Sequence, residues 1–538
     1  MQKFDYIVVG AGSAGCVLAD KLSADGKYQV LVLEAGGTDK KFWIQVPIGY
    51  GKSFHDEQIN WKYQTEVSSS MSGQKSYWPR GKVLGGSSSI NAMCYVRGLP
   101  TDYDDWRDMG NVGWGWDDVK QQFDRFERFV DVPGVVERDN PLYISNVYKD
   151  MHPLKEYYRR AAGEMGHKYL DNMNGSDTEG FGAYQINTRA GLRWSAADAF
   201  LYPALKRSNC HMEKHAHVTR ILFENKAAVG VEYIQNGKIK TALARGEIIL
   251  SGGAVNSPVL LQQSGIGPGK LLQKNGIEVV YENPQVGRNL QDHLGINYYY
   301  VANIPTLNDE LHSWVGKIWA GMKYILARKG PLRLSVNQNG GFVRSNSNLD
   351  RPNIQLYFNP VSYSTTRVEG KRPLMNPDPF SGFVMCFQQC RPTSRGSIEI
   401  KSNDPFMAPE IKPNYLSTNH DITGVIEGGN FIRRLAATSI MQELIKESLD
   451  PQLSRMDDAA IVEDFRNRAG TVFHPTCTCM MGNDPASSVV SPDLKVHSVD
   501  KLRVVDASVF PTVTSGNTHG PTVMVAHKGA DAILKDAG

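Results

Sequence analysis

Apolar residues are distributed along the chain in two distinct ways. Near the N-terminus, Ile7-Val8-Val9 and Val30-Leu31-Val32-Leu33 are unbroken apolar runs. A strand without polar positions is buried on both faces, as in a parallel sheet. Between these runs, Val17 to Leu22 carries helical spacing, so residues 4–36 predict a βαβ unit. Ile248-Ile249-Leu250 and Leu502-Arg503-Val504-Val505 predict further buried strands, and a helix is predicted over about 522–534. Between 340 and 415 the pattern changes to short strand-like runs separated by turn residues. Examples are Ile354 to Phe358, Gly382 to Phe387 and Ser397 to Ile400. Such spacing predicts a largely antiparallel sheet and a second domain. Residues 313–328 predict an amphipathic helix with Val315, Ile318, Met322, Ile325 and Leu326 on one face. Core packing is the expectation for that face. Because the helix also holds Trp314, Trp319, Lys317, Lys323 and Arg328, contact with a membrane or quinone-rich surface is the competing reading.

Composition narrows the classes. Over 538 residues the net charge is +3 and hydrophobic residues make up 41%. A disordered chain would need lower hydrophobicity and higher charge, and a nucleic-acid binder a basic footprint. Cys16, Cys94, Cys210, Cys386, Cys390, Cys477 and Cys479 are an odd set at low density, read as reduced thiols of an intracellular protein. No basic segment followed by an apolar one opens the chain, and no apolar run reaches membrane-spanning length. The expectation is a cytoplasmic protein without a transmembrane segment.

The first turn carries recognisable chemistry. Gly10-Ala11-Gly12-Ser13-Ala14-Gly15 follows a predicted strand and opens a predicted helix. Gly10 suits a tight turn, Gly12 lets backbone approach a pyrophosphate, and Gly15 lets helix and strand pack closely. The helix N-terminus offers free N–H groups and partial positive charge. Glu34, at the end of the second strand, can accept from a ribose diol and disfavours a 2′-phosphate. The turn alone serves NAD or FAD equally.

Three further segments decide between them. Gly81-Lys82-Val83-Leu84-Gly85-Gly86-Ser87-Ser88-Ser89-Ile90-Asn91, the run Gly253 to Gly267, and Val286-Gly287-Arg288-Asn289-Leu290-Gln291-Asp292-His293 resemble signatures of the glucose-methanol-choline (GMC) oxidoreductases. The resemblance spans nearly the whole chain. It implies non-covalent FAD, because Ile90 stands where some relatives carry a flavin-attaching histidine. It also implies that Val83, Asn91 and the following Ala92 and Met93 lie along the flavin. Gly85, Gly86 and Ser87 would approach the cofactor closely, with Ser13, Ala14 and Ala35 also in contact. Val218 would touch the adenine through its backbone, and Asp506 and Ala507 would lie by the pyrophosphate and ribityl portion. Sixteen of the 51 glycines fall in the matching segments and first strand ends, so the glycine surplus reads as cofactor-embedding backbone.

Two C-terminal runs resemble the family's catalytic segments: Phe473-His474-Pro475-Thr476-Cys477 and Gly516-Asn517-Thr518-His519-Gly520-Pro521-Thr522. The resemblance implies a His474–His519 pair, with Asn517 and Thr518 beside the cofactor. A neutral imidazole can take the hydroxyl proton while hydride leaves the carbon, and a second group can stabilise the alkoxide. His474 is expected as base and His519 as partner, with the reverse order also open. Cys477-x-Cys479 is not a usual zinc pairing, and no metal is expected. His293 reads as structural; Asn337, Phe358 and Gln388 are candidate substrate contacts.

The expected fold is thus α/β joined to α+β. A Rossmann-like FAD-binding domain would be discontinuous over 1–155, 190–300 and 466–538. A substrate domain over 156–189 and 301–465 would rest on a largely antiparallel sheet covered by helices. The expected activity is an alcohol dehydrogenase acting on a small polar alcohol, polyol or sugar, passing electrons to quinone, dye or oxygen. An oxygen-using oxidase and a redox-silent hydroxynitrile lyase of the same family are the alternatives. An NAD enzyme is disfavoured by the signatures.

Overall fold

The computed structural model describes residues 3–363, 376–449 and 451–538. Lys3–Val9 and Val30–Glu34 pair in parallel, from Tyr6↔Val30 to Val9↔Leu33, with helix Ser13–Ser23 between them. All five residues of Val30–Glu34 are buried, as the unbroken apolar run requires. Cys210–Lys214 extends the sheet in parallel beyond this strand. On the other side lie Lys238–Leu250 and then Leu502–Val504, both parallel. An antiparallel meander through Ala227–Gln235 and His217–Glu224 completes the layer. Helix His519–Asp536, buried along most of its length, packs on Ser13–Ser23.

The second layer is a mostly antiparallel sheet. Among the described residues its order is Ile445–Ser448, Leu294–Ala302, Gly382–Gln389, Ile354–Asn359, Asn339–Val343, Gly180–Ala183 and Tyr169–Leu170. Gly470–Thr471 also pairs with Leu294–Ala302. Helix Asn419–Ala436 covers one face. Gly428 allows this close approach, because a Cβ there would stand 2.1 Å from the Phe387 ring.

The structure departs from expectation at three places. Leu294–Ala302 and Gly470–Thr471, placed from sequence mostly in the FAD-binding domain, are strands of the second sheet. They sit at the seam between layers, where chain order gives no boundary signal. Ser397–Glu399 pairs with Glu410–Lys412 in a separate ribbon rather than joining the large sheet. The largest departure is helix Trp314–Ala327, where only Ala320 and Tyr324 are buried. Trp314, Val315, Ile318, Trp319, Met322, Ile325 and Leu326 are exposed, so the expected core face points outward. Periodicity shows that residues share a face, not what the face meets.

Candidate active site

The glycine turn folds as its spacing predicts. Gly10 has φ +103°, and a Cβ there would lie 2.5 Å from Ser251 O. At Gly15 a Cβ would stand 1.8 Å from Gly10 O, so helix and turn close only on glycine. Gly86, at φ +54°, brings the second glycine-rich segment onto Gly12; a Cβ there would lie 2.7 Å from Gly12 Cα. Glu34 Oε2 accepts from Ala11 N at 2.8 Å and Oε1 from Gly36 N at 2.8 Å. Burial pushes this carboxyl up to about 6, against the pull of the two backbone bonds.

These segments open onto one cavity of about 1690 Å³. It is lined by Gly10, Gly12, Ser13, Ala14, Glu34, Ala35, Gly86, Ser87, Asn91, Ala92, Met93, Val218, Asp506, Ala507, Asn517, Thr518, His474 and His519. Three expected contacts are not on its wall. Gly15 packs beneath the turn. Gly85 donates its N–H to Ala11 O and serves the turn from behind. Val83 is fully buried with Ile44, Ile59 and Ile90. Its apolar side chain belongs to that small core.

Two groups hold this wall: Arg193, which sequence reasoning left unassigned, and Asp506, expected beside the pyrophosphate and ribityl portion. Arg193, buried, donates to Ile44 O, Ser88 O, Asn91 Oδ1 and Asn91 O, and so clamps the 88–91 loop. Burial lowers its guanidinium to about 9. Asp506 is spent on internal bonds: Oδ2 accepts from Gly253 N and Ser257 Oγ, and Oδ1 from Ser508 N. It ties the N-terminus of helix Gly253–Gln263 to the end of strand Leu502–Val504.

The segment Phe473-His474-Pro475 turns sharply into the cavity. Phe473 has φ +72°, an uncommon conformation for a bulky residue. It is held because Phe473 N donates to Thr471 Oγ1 and Arg80 Nη2 donates to Phe473 O. Next, His474 N donates to Asp292 Oδ1 at 2.7 Å. Asp292 Oδ2 accepts from Tyr415 OH and Thr471 Oγ1. Gln291 and Thr476 exchange backbone bonds. The Asn289-Leu290-Gln291-Asp292-His293 run is therefore the scaffold of the active-site segment.

Its last residue sets the tautomer of His474. His293 Nε2 lies 2.8 Å from Cys390 O, a pure acceptor, so Nε2 carries the proton. Burial lowers His293 to about 4, so the ring is neutral and Nδ1 is a lone pair. His474 Nδ1 lies 3.0 Å from that atom and must donate to it. His474 Nε2 then carries the lone pair, 3.1 Å from Asn517 Nδ2, which donates to it. Burial first, then His293 and Arg80, hold His474 well below the usual histidine range, so it stays unprotonated. The reading of His293 as merely structural thus gives way to a positioning role.

The expected His474–His519 pair does not form. His519 Nδ1 instead shares a 3.0 Å hydrogen bond with Ser13 Oγ in the glycine turn. Burial, with Arg193 nearby, lowers His519 to about 4. Asn517, two residues earlier, meets His474. His519 begins helix His519–Asp536, and the turn into that helix sends the two side chains to different parts of the cavity. The segment offers two polar candidates, and spacing alone does not choose between them.

Around Asn517 the cavity is polar, with Arg80 as the cation beside the His474 segment. Asn337, Tyr357, Asn359 and Tyr363 line it there, as expected for Asn337. Phe358 is instead buried, stacked on Tyr158, and Gln388 bonds inward to Gln355 and His293. Among the described lining residues the only carboxylates are Glu34 and Asp506.

The cavity suits FAD on three observations. Gly12 and Gly86 bare their backbone on its wall, Glu34 lines it where it accepts from Ala11 N, and His519 Nε2 is buried without a partner among the described residues. Comparison with known proteins agrees. The GMC oxidoreductase family description matches residues 4–295 and 392–526. An alcohol dehydrogenase [acceptor] of Pseudomonas putida is 41% identical, covering 99% of this chain and 96% of the relative. An oxygen-dependent choline dehydrogenase of Vibrio vulnificus is 40% identical over 99% and 94%. Among solved structures, pyridoxine 4-oxidase from Mesorbium loti superposes with TM-score 0.87 at 29% identity, covering 98% of each chain. Formate oxidase of known structure reaches TM-score 0.92 at 25% identity, covering 99% of this chain and 98% of that one. The chain belongs to the GMC oxidoreductase family. It is an FAD-dependent oxidoreductase acting on CH–OH groups. Ile90 has no nucleophile to attach the flavin, so FAD is held non-covalently. No helix among the described residues is long and apolar enough to cross a membrane.

Proposed function

We propose that the chain is a dehydrogenase of small neutral alcohols in which His474 is the base and Asn517 the substrate-oxygen partner. The single observation that carries this reading is the chain from Cys390 O through His293 to His474, which leaves Nε2 unprotonated at the cavity wall. The substrate hydroxyl gives its proton to His474 Nε2, and the Asn517 amide donates to the oxygen as alkoxide charge develops. FAD, when bound, supplies the acceptor for the hydride that leaves the carbon. No carboxylate but Glu34 and Asp506 is among the described lining residues and Arg80 adds a cation near His474, which suits a neutral alcohol better than a quaternary ammonium, although the Vibrio relative is named for choline. Kinship with the Pseudomonas putida dehydrogenase favours a quinone or another non-oxygen acceptor. We place the activity in the cytoplasm, with seven buried cysteines, none in a disulfide.

Anaerobic mixing of the yellow protein with an alcohol panel tests the reading. Neutral primary alcohols should bleach the flavin band and choline should not, and a quinone analogue should restore the band faster than air. No bleaching by any alcohol would favour the lyase chemistry, and rapid recovery in air the oxidase.

His519 has a different expected signature. His519→Asn should keep flavin reduction within about tenfold of wild type, because it removes one hydrogen bond away from His474. It should also raise the dissociation constant of FAD, measured by fluorescence of released flavin. A loss of reduction as severe as that of a His474 variant would restore His519 as the catalytic partner.

A further inference from the structure

The helix Trp314–Ala327 is fixed to the protein by one narrow face. Ala320 is buried in a cluster with Tyr50, Leu307 and Leu311, and Tyr324 donates to Gly191 O. Ser313 caps the N-terminus by accepting from Gly316 N. At ~100° per residue the exposed apolar positions run without interruption from Trp314 through Ile325, Ile318 and Met322 to Trp319, an arc of about 140°. Trp314 is 74% exposed, Ile325 64% and Leu326 83%. Soluble proteins rarely present so continuous an apolar surface without something to cover it.

The borders of the arc indicate what covers it. Lys317 and Arg328 flank one edge and Lys323 the other, all exposed. From Ser313 to Lys329 the chain holds no Asp or Glu, and Glu310, paired with Lys323 at 3.5 Å, is the acidic neighbour. A two-fold contact of this helix with a second copy would press like charges together, since an isologous interface repeats the same patch. Two tryptophans, an apolar arc and cationic borders instead match the layered chemistry of a bilayer surface: acyl chains, interface, then anionic headgroups. Exposed Phe42 and Trp43 lie on the segment leading to Pro47–Gly49, which packs on Pro331–Arg333 at the foot of the helix.

We propose that helix Trp314–Ala327 docks the protein peripherally on an anionic phospholipid surface, lying in the interface with its tryptophan arc inserted. The helix would lie in the plane of the bilayer, so the proposal is compatible with the lack of a spanning helix among the described residues. It stands apart from the assignment of His474 and Asn517 and goes beyond the catalytic reading.

Flotation of the FAD-loaded protein with vesicles tests it. Wild type should float with phosphatidylcholine–phosphatidylglycerol vesicles, weakly with phosphatidylcholine alone, and less as salt rises. Trp314→Glu/Trp319→Glu should lower the partition coefficient at least about tenfold, with flavin absorbance and dye-linked alcohol turnover unchanged. Lys317→Glu/Lys323→Glu, a second variant on the same helix, should weaken binding to the anionic vesicles and leave the weak neutral binding as it was. Absence of wild-type flotation with the anionic vesicles, or equal flotation of both variants and wild type, would overturn the proposal. So would a wild-type dimer, seen by light scattering, that the tryptophan variant dissociates while vesicle binding is nil; the face would then belong to a second copy.

Discussion

His474→Ala should slow anaerobic flavin reduction by an alcohol about 10²–10⁴-fold while the protein stays yellow, the range expected for loss of a general base. The fold around it should survive. The backbone N–H of residue 474 bonds to Asp292, and Phe473 is held by Arg80 and Thr471, all independent of the imidazole. The wild-type pH profile is part of the same expectation. A base works in its unprotonated form, and burial moves the His474 pKa down from the model-compound value of 6.5. Reduction should therefore stay level as pH falls from above neutrality through 6.5, and decline only below it. His293→Leu should lower the rate about 10²-fold by removing the acceptor for His474 Nδ1–H, which frees the ring to take the wrong tautomer. Its acid limb should also shift, a change that loss of packing alone would not cause. Stopped-flow flavin bleaching across pH checks all three. Reduction by His474→Ala at near wild-type rate would remove His474 as the base.

Gly15→Ala should yield a colourless, destabilised protein. Inside a helix, alanine is intrinsically better than glycine by about 1 kcal/mol. Here the added Cβ would lie 1.8 Å from Gly10 O, far inside contact distance, and the atom it meets is backbone that cannot rotate away. Overpacking in a well-packed interior costs about 1–3 kcal/mol, and a rigid backbone clash sits at or above the top of that range. The clash therefore outweighs the propensity gain. Relief requires the turn at Gly10 or the start of helix Ser13–Ser23 to move, and both form the pyrophosphate cradle. Flavin absorbance per protein and the melting temperature check this. A yellow protein that melts like wild type would show that close packing of the third glycine is not what the turn requires.

Much of the fold was legible in sequence because it rests on local rules. Ile7-Val8-Val9 and Val30 to Leu33 are buried strands since an all-apolar run has nowhere else to go. The glycine turn follows from backbone sterics within six residues. The misassigned stretches, Leu294–Ala302 and Gly470–Thr471, pair with partners distant in the chain, and pairing leaves no local mark. The cluster of Ile44, Ile59 and Ile90 that takes the Val83 side chain was hidden for a related reason: it assembles only in three dimensions.

By itself, the sequence determined the dinucleotide turn, the FAD signatures, the family and the two segments that carry the catalytic groups. Those features depend on residue type and short spacing, which the chain states directly. Tertiary structure decided three other things. It set Asn517 rather than His519 against His474, because the direction of a side chain at a helix start depends on how that helix is seated. It turned His293 into the group that fixes the His474 tautomer, through a carbonyl 97 residues away at Cys390. It also turned the apolar face of Trp314–Ala327 outward, since amphipathicity defines a face and only packing defines its partner.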